Sequence, residues 1–180
     1  MVETPAGIAP AAVPASAVPD AIAAYAEHIH DYVGEYIRLA DQKAAFVFSA
    51  CAALLAFLYQ KGVSQRWLKV PTGWGVGDAI AFLAMLGLGA AAFVAVGVIV
   101  PRLYGSRQGF FFWTAITHFG SPARYAEAAL QVRPADLVRA QLEHTFELSR
   151  ICRQKYRVLN VSIVFGAVGL YASLLYLLLF

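Results

Sequence analysis

The stretch YIRLADQKAAFVFSACAALLAFLYQ, Tyr36 to Gln60, decides the fold: a charged, water-compatible helix runs into a membrane span with no breaker between them. From Asp20 to Gln60 there is no proline and a single glycine, Gly34. Upstream of Lys43 the residues Ile22, Tyr25, Ile29, Tyr32, Tyr36 and Leu39 recur in 3-4 alternation, which predicts the seam of a helix packed on other helices. Lys43 falls on the same seam, where an ammonium group costs desolvation unless it is paired. Downstream, Ala44 to Gln60 carries no charge. At about 1.5 Å per residue this segment spans roughly 26 Å, the short end for crossing a bilayer. Lys43 and Lys61 at its ends can snorkel and make up the difference.

Composition extends the membrane reading to the whole chain. Hydrophobic residues make up 60% of the 180 and charged residues 14%, against about 45–50% and 25% in soluble domains. The excess sits in three blocks, Ala44–Gln60, Ala79–Val100 and Val158–Phe180. The second holds eleven Leu, Ile, Val or Phe residues and no charge. At about −0.3 to −0.6 kcal/mol each, these favour insertion by roughly 3–6 kcal/mol. Three such blocks cannot all hide in the core of so small a chain. The reading is an all-α membrane protein, with three transmembrane helices and long cytoplasmic helical extensions.

The distribution of positive charge sets the orientation. Of the fourteen Lys and Arg, Arg38 and Lys43 precede the first span, Lys61, Arg66 and Lys69 follow it, and nine lie between the second and third spans. The positive-inside rule places that long loop in the cytoplasm. The N-terminus is then cytoplasmic, the 61–78 loop periplasmic, and Phe180 ends outside. The net charge of +3 reports this topology, so no nucleic-acid partner is implied.

The chain divides as follows. Residues 1–19, with Pro5, Pro10, Pro14 and Pro19 almost evenly spaced, read as a disordered arm. Residues 20–43 form a cytoplasmic helix with Asp20 as its N-cap, 44–60 the first span, 61–78 the periplasmic loop and 79–100 the second span. Residues 101–157 form a cytoplasmic helical region and 158–180 the third span. In the loop, Trp67 and Trp74 suit the headgroup level as anchors. In the cytoplasmic region a short helix is expected over Ala123–Val132. A long one opens at Pro134 and runs without a breaker into the third span. The two rods, Asp20–Gln60 and Pro134–Phe180, are expected to pack antiparallel as a stalk. Small residues at four-residue spacing, Ser49/Ala53 and Ala52/Ala56, Gly87/Ala91/Ala95, Ser162/Gly166 and Gly169/Ser173, suit close helix packing within one chain or between copies.

Catalytic and metal-binding patterns are absent. His28 and His30 point to different helix faces; His144 and Glu147 share a face without further ligands. Cys51 and Cys152 fall at different levels of the topology and no CxxC exists. There is no GxSxG, HExxH or P-loop, and no span carries a charge, as a transporter midplane would. An enzyme is not expected, nor a cofactor. Two groups of residues invite a role. Asp41 and Lys43 on the first rod, with Lys155 and Tyr156 on the second, lie at the water–lipid boundary. They read as depth anchors, or Asp41 pairs with a basic residue of the second rod, where Arg153, Lys155 and Arg157 lie at the matching level, or of another chain. Phe111 and Trp113, with Arg102, Arg107 and Arg124 nearby, read either as core packing or as rings that stack a base while guanidinium groups hold a phosphate.

Taken together and in order, three phrases resemble the transmembrane effectors of Pycsar antiphage systems: YIRLADQKA entering a span, FFFWTAITHFGSPARYAEAAL, and LVRAQLEHTFELSRICRQKYRVLN entering the last span. The similarity covers roughly Tyr25 to Phe180, and its sharpest pieces are Ala40-Asp41-x-Lys43 and Lys155-Tyr156. The resemblance implies a cyclic pyrimidine mononucleotide, cUMP or cCMP, as activating ligand, made by a neighbouring pyrimidine nucleotide cyclase. It further implies an inner-membrane effector that damages the lipid bilayer and halts growth before phage multiply; a ligand-favoured homo-oligomer is the expected means. The chain carries no separate cyclic-nucleotide-binding β-barrel, so the 102–157 helices or a partner must bind the ligand. A non-catalytic scaffold recruiting a partner through 102–157 is the alternative.

Overall fold

The computed structural model describes residues 19–63, 73–100, 110–111 and 113–180. Among the described residues five helices follow one another: α1 (Asp20–Gln60), α2 (Val76–Ile99), α3 (Trp113–Thr117), α4 (Pro122–Gln131) and α5 (Pro134–Leu179). No strand occurs among the described residues. Helices α1, α2 and α5 are long and apolar enough to cross a membrane. Residues 1–18 of the N-terminal arm and 64–72 of the 61–78 loop, including Trp67, lie outside the described residues, as do 101–109.

Local sequence sets the helix ends. Asp20 is the first helical residue of α1 rather than its cap, and the Pro19 carbonyl accepts from the Ile22 amide. At the other end Gly62 takes φ +73°, its amide bonds the Tyr59 carbonyl, and the Val63 amide bonds the Leu58 carbonyl. This is a Schellman turn, with buried Val63 as its hydrophobic contact. The Asp78 carboxylate accepts the Gly75 amide at the start of α2. Ser121 caps α4, its Oγ accepting from the Arg124 amide, with Pro122 at the first helical position.

Two compact units emerge, residues 1–30 with 105–145, and residues 31–104 with 146–180. In the second, the lipid-level core joins Cys51 and Leu58 of α1 to Ala84, Leu88 and Ala91 of α2 and to Ala172 and Tyr176 of α5. The tightest contact is between Gly87 and Gly169: a β-carbon on Gly169 would lie 2.5 Å from the Leu88 amide nitrogen. Only residues without a side chain let these backbones meet. Ser162 Oγ donates to the Ala91 carbonyl at 2.7 Å, so a polar group is satisfied within lipid depth.

Within this unit α1 and α5 run parallel, correcting the antiparallel expectation. Asp41 meets Lys155, 114 positions on, and Cys51 meets Gly166 by nearly the same step. An antiparallel pair would hold the sum of positions constant instead. The reason is topological: α2 reverses the chain once, so the first and third spans must cross in the same direction.

The buried line of α1 also differs from the tyrosine seam. Ala26, Val33, Ala40, Ala44, Cys51 and Leu58 are buried, while Ile22, Tyr25, Tyr32 and Tyr36 stay exposed. Alanine lets helices approach closely, and the larger tyrosines flank that contact. Likewise Ser49, Ala53 and Ala56 of the first span face outward, whereas Gly87, Ala91 and Ala95 of α2 are buried.

Candidate functional site at the membrane boundary

Helix α1 leaves water at Asp41-Gln42-Lys43, and the last polar turn of α5 is Arg153-Gln154-Lys155-Tyr156-Arg157. Parallel packing brings these turns to one level. The Lys155 ammonium donates to Asp41 Oδ1. Its side chain retains 8% of its surface, whereas Asp41 retains 35%. The long lysine stem packs inward, and its charge finds a carboxylate at the edge of the apolar layer. Lys43 is exposed, lying 5.7 Å over the Tyr156 ring rather than within the packed seam. Ring and cation form a cation–π pair at the headgroup level.

Tyr156 joins a second group. Its ring lies 6.4 Å from that of Tyr36, which in turn lies 4.7 Å from that of Tyr32. Burial first, then Cys152 and Tyr36, raises the Tyr156 pKa, so the phenol stays neutral. A hydrogen bond with Tyr36 raises the Tyr32 pKa. Cys152 is likewise raised by burial, with Lys155 pulling the other way. The result is a buried cation bound to one carboxylate, with a row of tyrosine rings running along the same turn. With the Cys152 thiol and the Tyr156 phenol both raised, the group offers no activated nucleophile.

In the smaller unit, Phe110 stacks on Phe119 at 5.7 Å between ring centroids, and Tyr125 meets Phe119 edge-on at 5.4 Å. Tyr125 Oη donates to the Phe110 carbonyl. Phe111 is half-buried and Arg124 exposed. Arg102, Arg107 and the side chain of Trp113 lie outside the described residues, so the five candidate ligand residues are not seen assembled. Also in this unit, the Thr145 hydroxyl donates to the Gln141 carbonyl at 2.8 Å. Its oxygen therefore accepts from His30 Nδ1 at 3.3 Å, which places a proton on that nitrogen. The His144 ring sits 5.5 Å from that of His30. No group of three or more metal-ligating side chains occurs among the described residues.

Sequence reasoning named Asp41, Lys43, Lys155 and Tyr156 but missed Tyr36, His30 and Thr145 as their neighbours or counterparts. Tyr36 had been placed on the apolar seam. The signal that finds the others is a constant step of about 115 along the two rods, readable once those rods are known to be parallel.

A model of the Pycsar effector protein domain matches residues 25–180. The chain belongs to the Pycsar effector family. This Pycsar effector is similar to the Pycsar effector protein SaPycTM of Staphylococcus aureus, with 25% identity over 146 residues, covering 81% of this chain and 87% of the relative. No solved structure matches. Family and fold together make it an effector of antiphage defence with membrane-spanning helices, seated in the inner membrane.

Proposed function

We propose that this Pycsar effector responds to a cyclic pyrimidine mononucleotide, cUMP or cCMP, diffusing from a partner cyclase, and answers by breaching the inner membrane. Growth then stops before phage multiply, an abortive infection. The N-terminus and the 102–157 region face the cytoplasm, where the nucleotide is made. Its own residues perform no turnover: the ligand acts by binding one packing of the helices better than another. Phe111 and Trp113 stack the pyrimidine, and Arg102, Arg107 and Arg124 hold the cyclic phosphodiester. Asp41, Lys43, Lys155 and Tyr156 hold the resting arrangement at the boundary, and copies assemble in the activated state.

The observation that supports this reading best is continuity. Helices α1 and α5 each pass from a polar segment into an apolar span without a break, and Lys155 bonds Asp41 where both enter lipid. The test is dye release from phosphatidylethanolamine/phosphatidylglycerol vesicles carrying the full chain. Release is expected with cUMP or cCMP, absent with cAMP, and weakened by Arg124→Glu. Silence with every nucleotide would overturn the reading and favour a scaffold; consumption of the nucleotide would make the chain an enzyme.

A further inference from the structure

In the larger unit the outward sides of the two rods carry opposite charge. On α1, Asp31, Glu35, Arg38 and Gln42 are all exposed. Each sits two positions from buried Val33 or Ala40, about 200° around the helix and so on the side away from the packed face. On α5, Phe146, Arg150, Arg153 and Arg157 are exposed. The last two each sit two positions from buried Lys155, again on the far side. Among the described residues Asp31, Arg150, Arg153 and Arg157 enter no ion pair, and Arg38 is bound to Glu35 at 2.9 Å. Because the packed faces of α1 and α5 meet each other, these ridges point in opposite directions.

Height matters as much as sign. The step that sets Asp41 beside Lys155 puts Glu35 level with Arg150 and Asp31 one turn farther from the membrane. Below the water line the α1 ridge continues as Ala45, Ser49, Ala53 and Ala56, all exposed. The α5 ridge continues as Val161, Val164, Val168 and Tyr171, also exposed. A shallow groove on one side thus faces away from a bulky ridge on the other. Copies inserted in one bilayer share one direction, so heights are preserved between neighbours.

We infer that a second copy of this chain docks its α5 ridge, centred on Arg150, against the α1 ridge of its neighbour, centred on Asp31 and Glu35. The contact is head-to-tail: each copy uses one side to receive and the other to give. Repetition around an axis normal to the membrane closes a ring, and repetition without closure gives an arc. Large side chains of α5 seat in the small-residue groove of α1, where helices can approach closely in lipid. The inference names the assembly surface of the proposed effector but does not need the nucleotide trigger.

The test uses the full chain in phosphatidylethanolamine/phosphatidylglycerol vesicles, in a Cys51→Ala, Cys152→Ala background, with and without cUMP. One population carries Gln42→Cys and the other Gln154→Cys; both positions are exposed. Disulfide crosslinks are expected in the mixture but in neither population alone. Asp31→Arg with Glu35→Arg in the first population should cut crosslinking about tenfold. Adding Arg150→Glu with Arg153→Glu to the second should restore it, which also shows that the variants fold. Crosslinks within the Gln42→Cys population, indifference to charge reversal, or no crosslink under either condition would overturn the inference. Dye release without these crosslinks sinks the interface and spares the nucleotide reading; crosslinks without release do the reverse.

Discussion

Separating the partners of the Asp41–Lys155 pair should cost unequal amounts, because they are unequally buried. Asp41→Ala leaves an ammonium group with 8% of its side-chain surface exposed, at the edge of an apolar layer and with no anionic partner. Removing one member of a buried pair costs about 3–5 kcal/mol, and the depth of Lys155 places this variant in that range. Lys155→Met leaves Asp41, which retains 35% exposure and can rehydrate where it stands. The methionine also keeps most of the packing of the lysine stem. Its cost falls between that of exposed and buried pairs, about 1–2 kcal/mol. The double variant removes both charges, so it should be more stable than Asp41→Ala alone, with a coupling of about 2 kcal/mol. Equilibrium unfolding by SDS titration in mixed micelles, followed by far-UV circular dichroism, measures all four corners of the cycle. Equal costs for the two single changes, or strict additivity in the double, would refute the assignment of a buried lysine held by a partly wet carboxylate.

Other outcomes follow from neighbouring geometry. Gly169→Ala puts a methyl group 2.9 Å from the Gly87 carbonyl carbon, so α2 and α5 must part; the same titration should show a loss of about 1–3 kcal/mol. Gly166→Ala meets Ala91 Cβ and Cys51 Sγ at 3.5 and 3.6 Å, ordinary contact, and should leave stability equal or raise it by up to about 1 kcal/mol through helix propensity. Ser162→Ala deletes one interhelical bond to a carbonyl and should cost about 0.6 kcal/mol. Burial raises the Cys152 pKa while Lys155 lowers it. Iodoacetamide should therefore alkylate Cys152 more slowly at pH 8 than a free thiol, and more slowly still in Lys155→Met, because the thiolate loses its nearest cation. Faster labelling in that variant would reverse the sign of the argument.

The helices were legible because their signals are long and cooperative. Asp20 to Gln60 contains no proline, and Gly62 closes it at the first position where positive φ is needed. Direction was misread because periodicity within a helix says nothing about its neighbour; counting bilayer crossings does. The seam was misplaced for a related reason. Heptad spacing marks several stripes on α1, and hydrophobicity favours the tyrosines, yet close packing selects Ala26, Val33 and Ala40. A bond from Asp41 to a basic residue of the second rod was legible from charges at the two span edges, but the choice of Lys155 needed the parallel register. The contact of His30 with Thr145 rests on the same register and was hidden with it. The aromatic run was visible as composition alone, since stacking partners such as Tyr125 depend on how short helices fold back.

Register itself can be put to the proof. One alanine inserted after Gln42 turns everything downstream in α1 by about 100° and advances it about 1.5 Å. Asp41 can then keep Lys155, or Cys51 can keep its place beside Gly166, but not both. The insertion should cost several kcal/mol in the SDS titration, whichever contact yields, since it breaks either the pair or the packed core. A second alanine after Arg157 of α5 brings the two rods back to a common height and an equal step, leaving the turn of both against α2 to be absorbed. The double insertion should therefore cost less than the two single insertions added together, an outcome that propensity, hydrophobicity and loop length do not produce. Rods that were antiparallel would drift apart by the sum of the two shifts, and the double insertion would be worse than either alone. A double insertion milder than that sum is thus the signature of parallel helices held in fixed step across the water–lipid boundary.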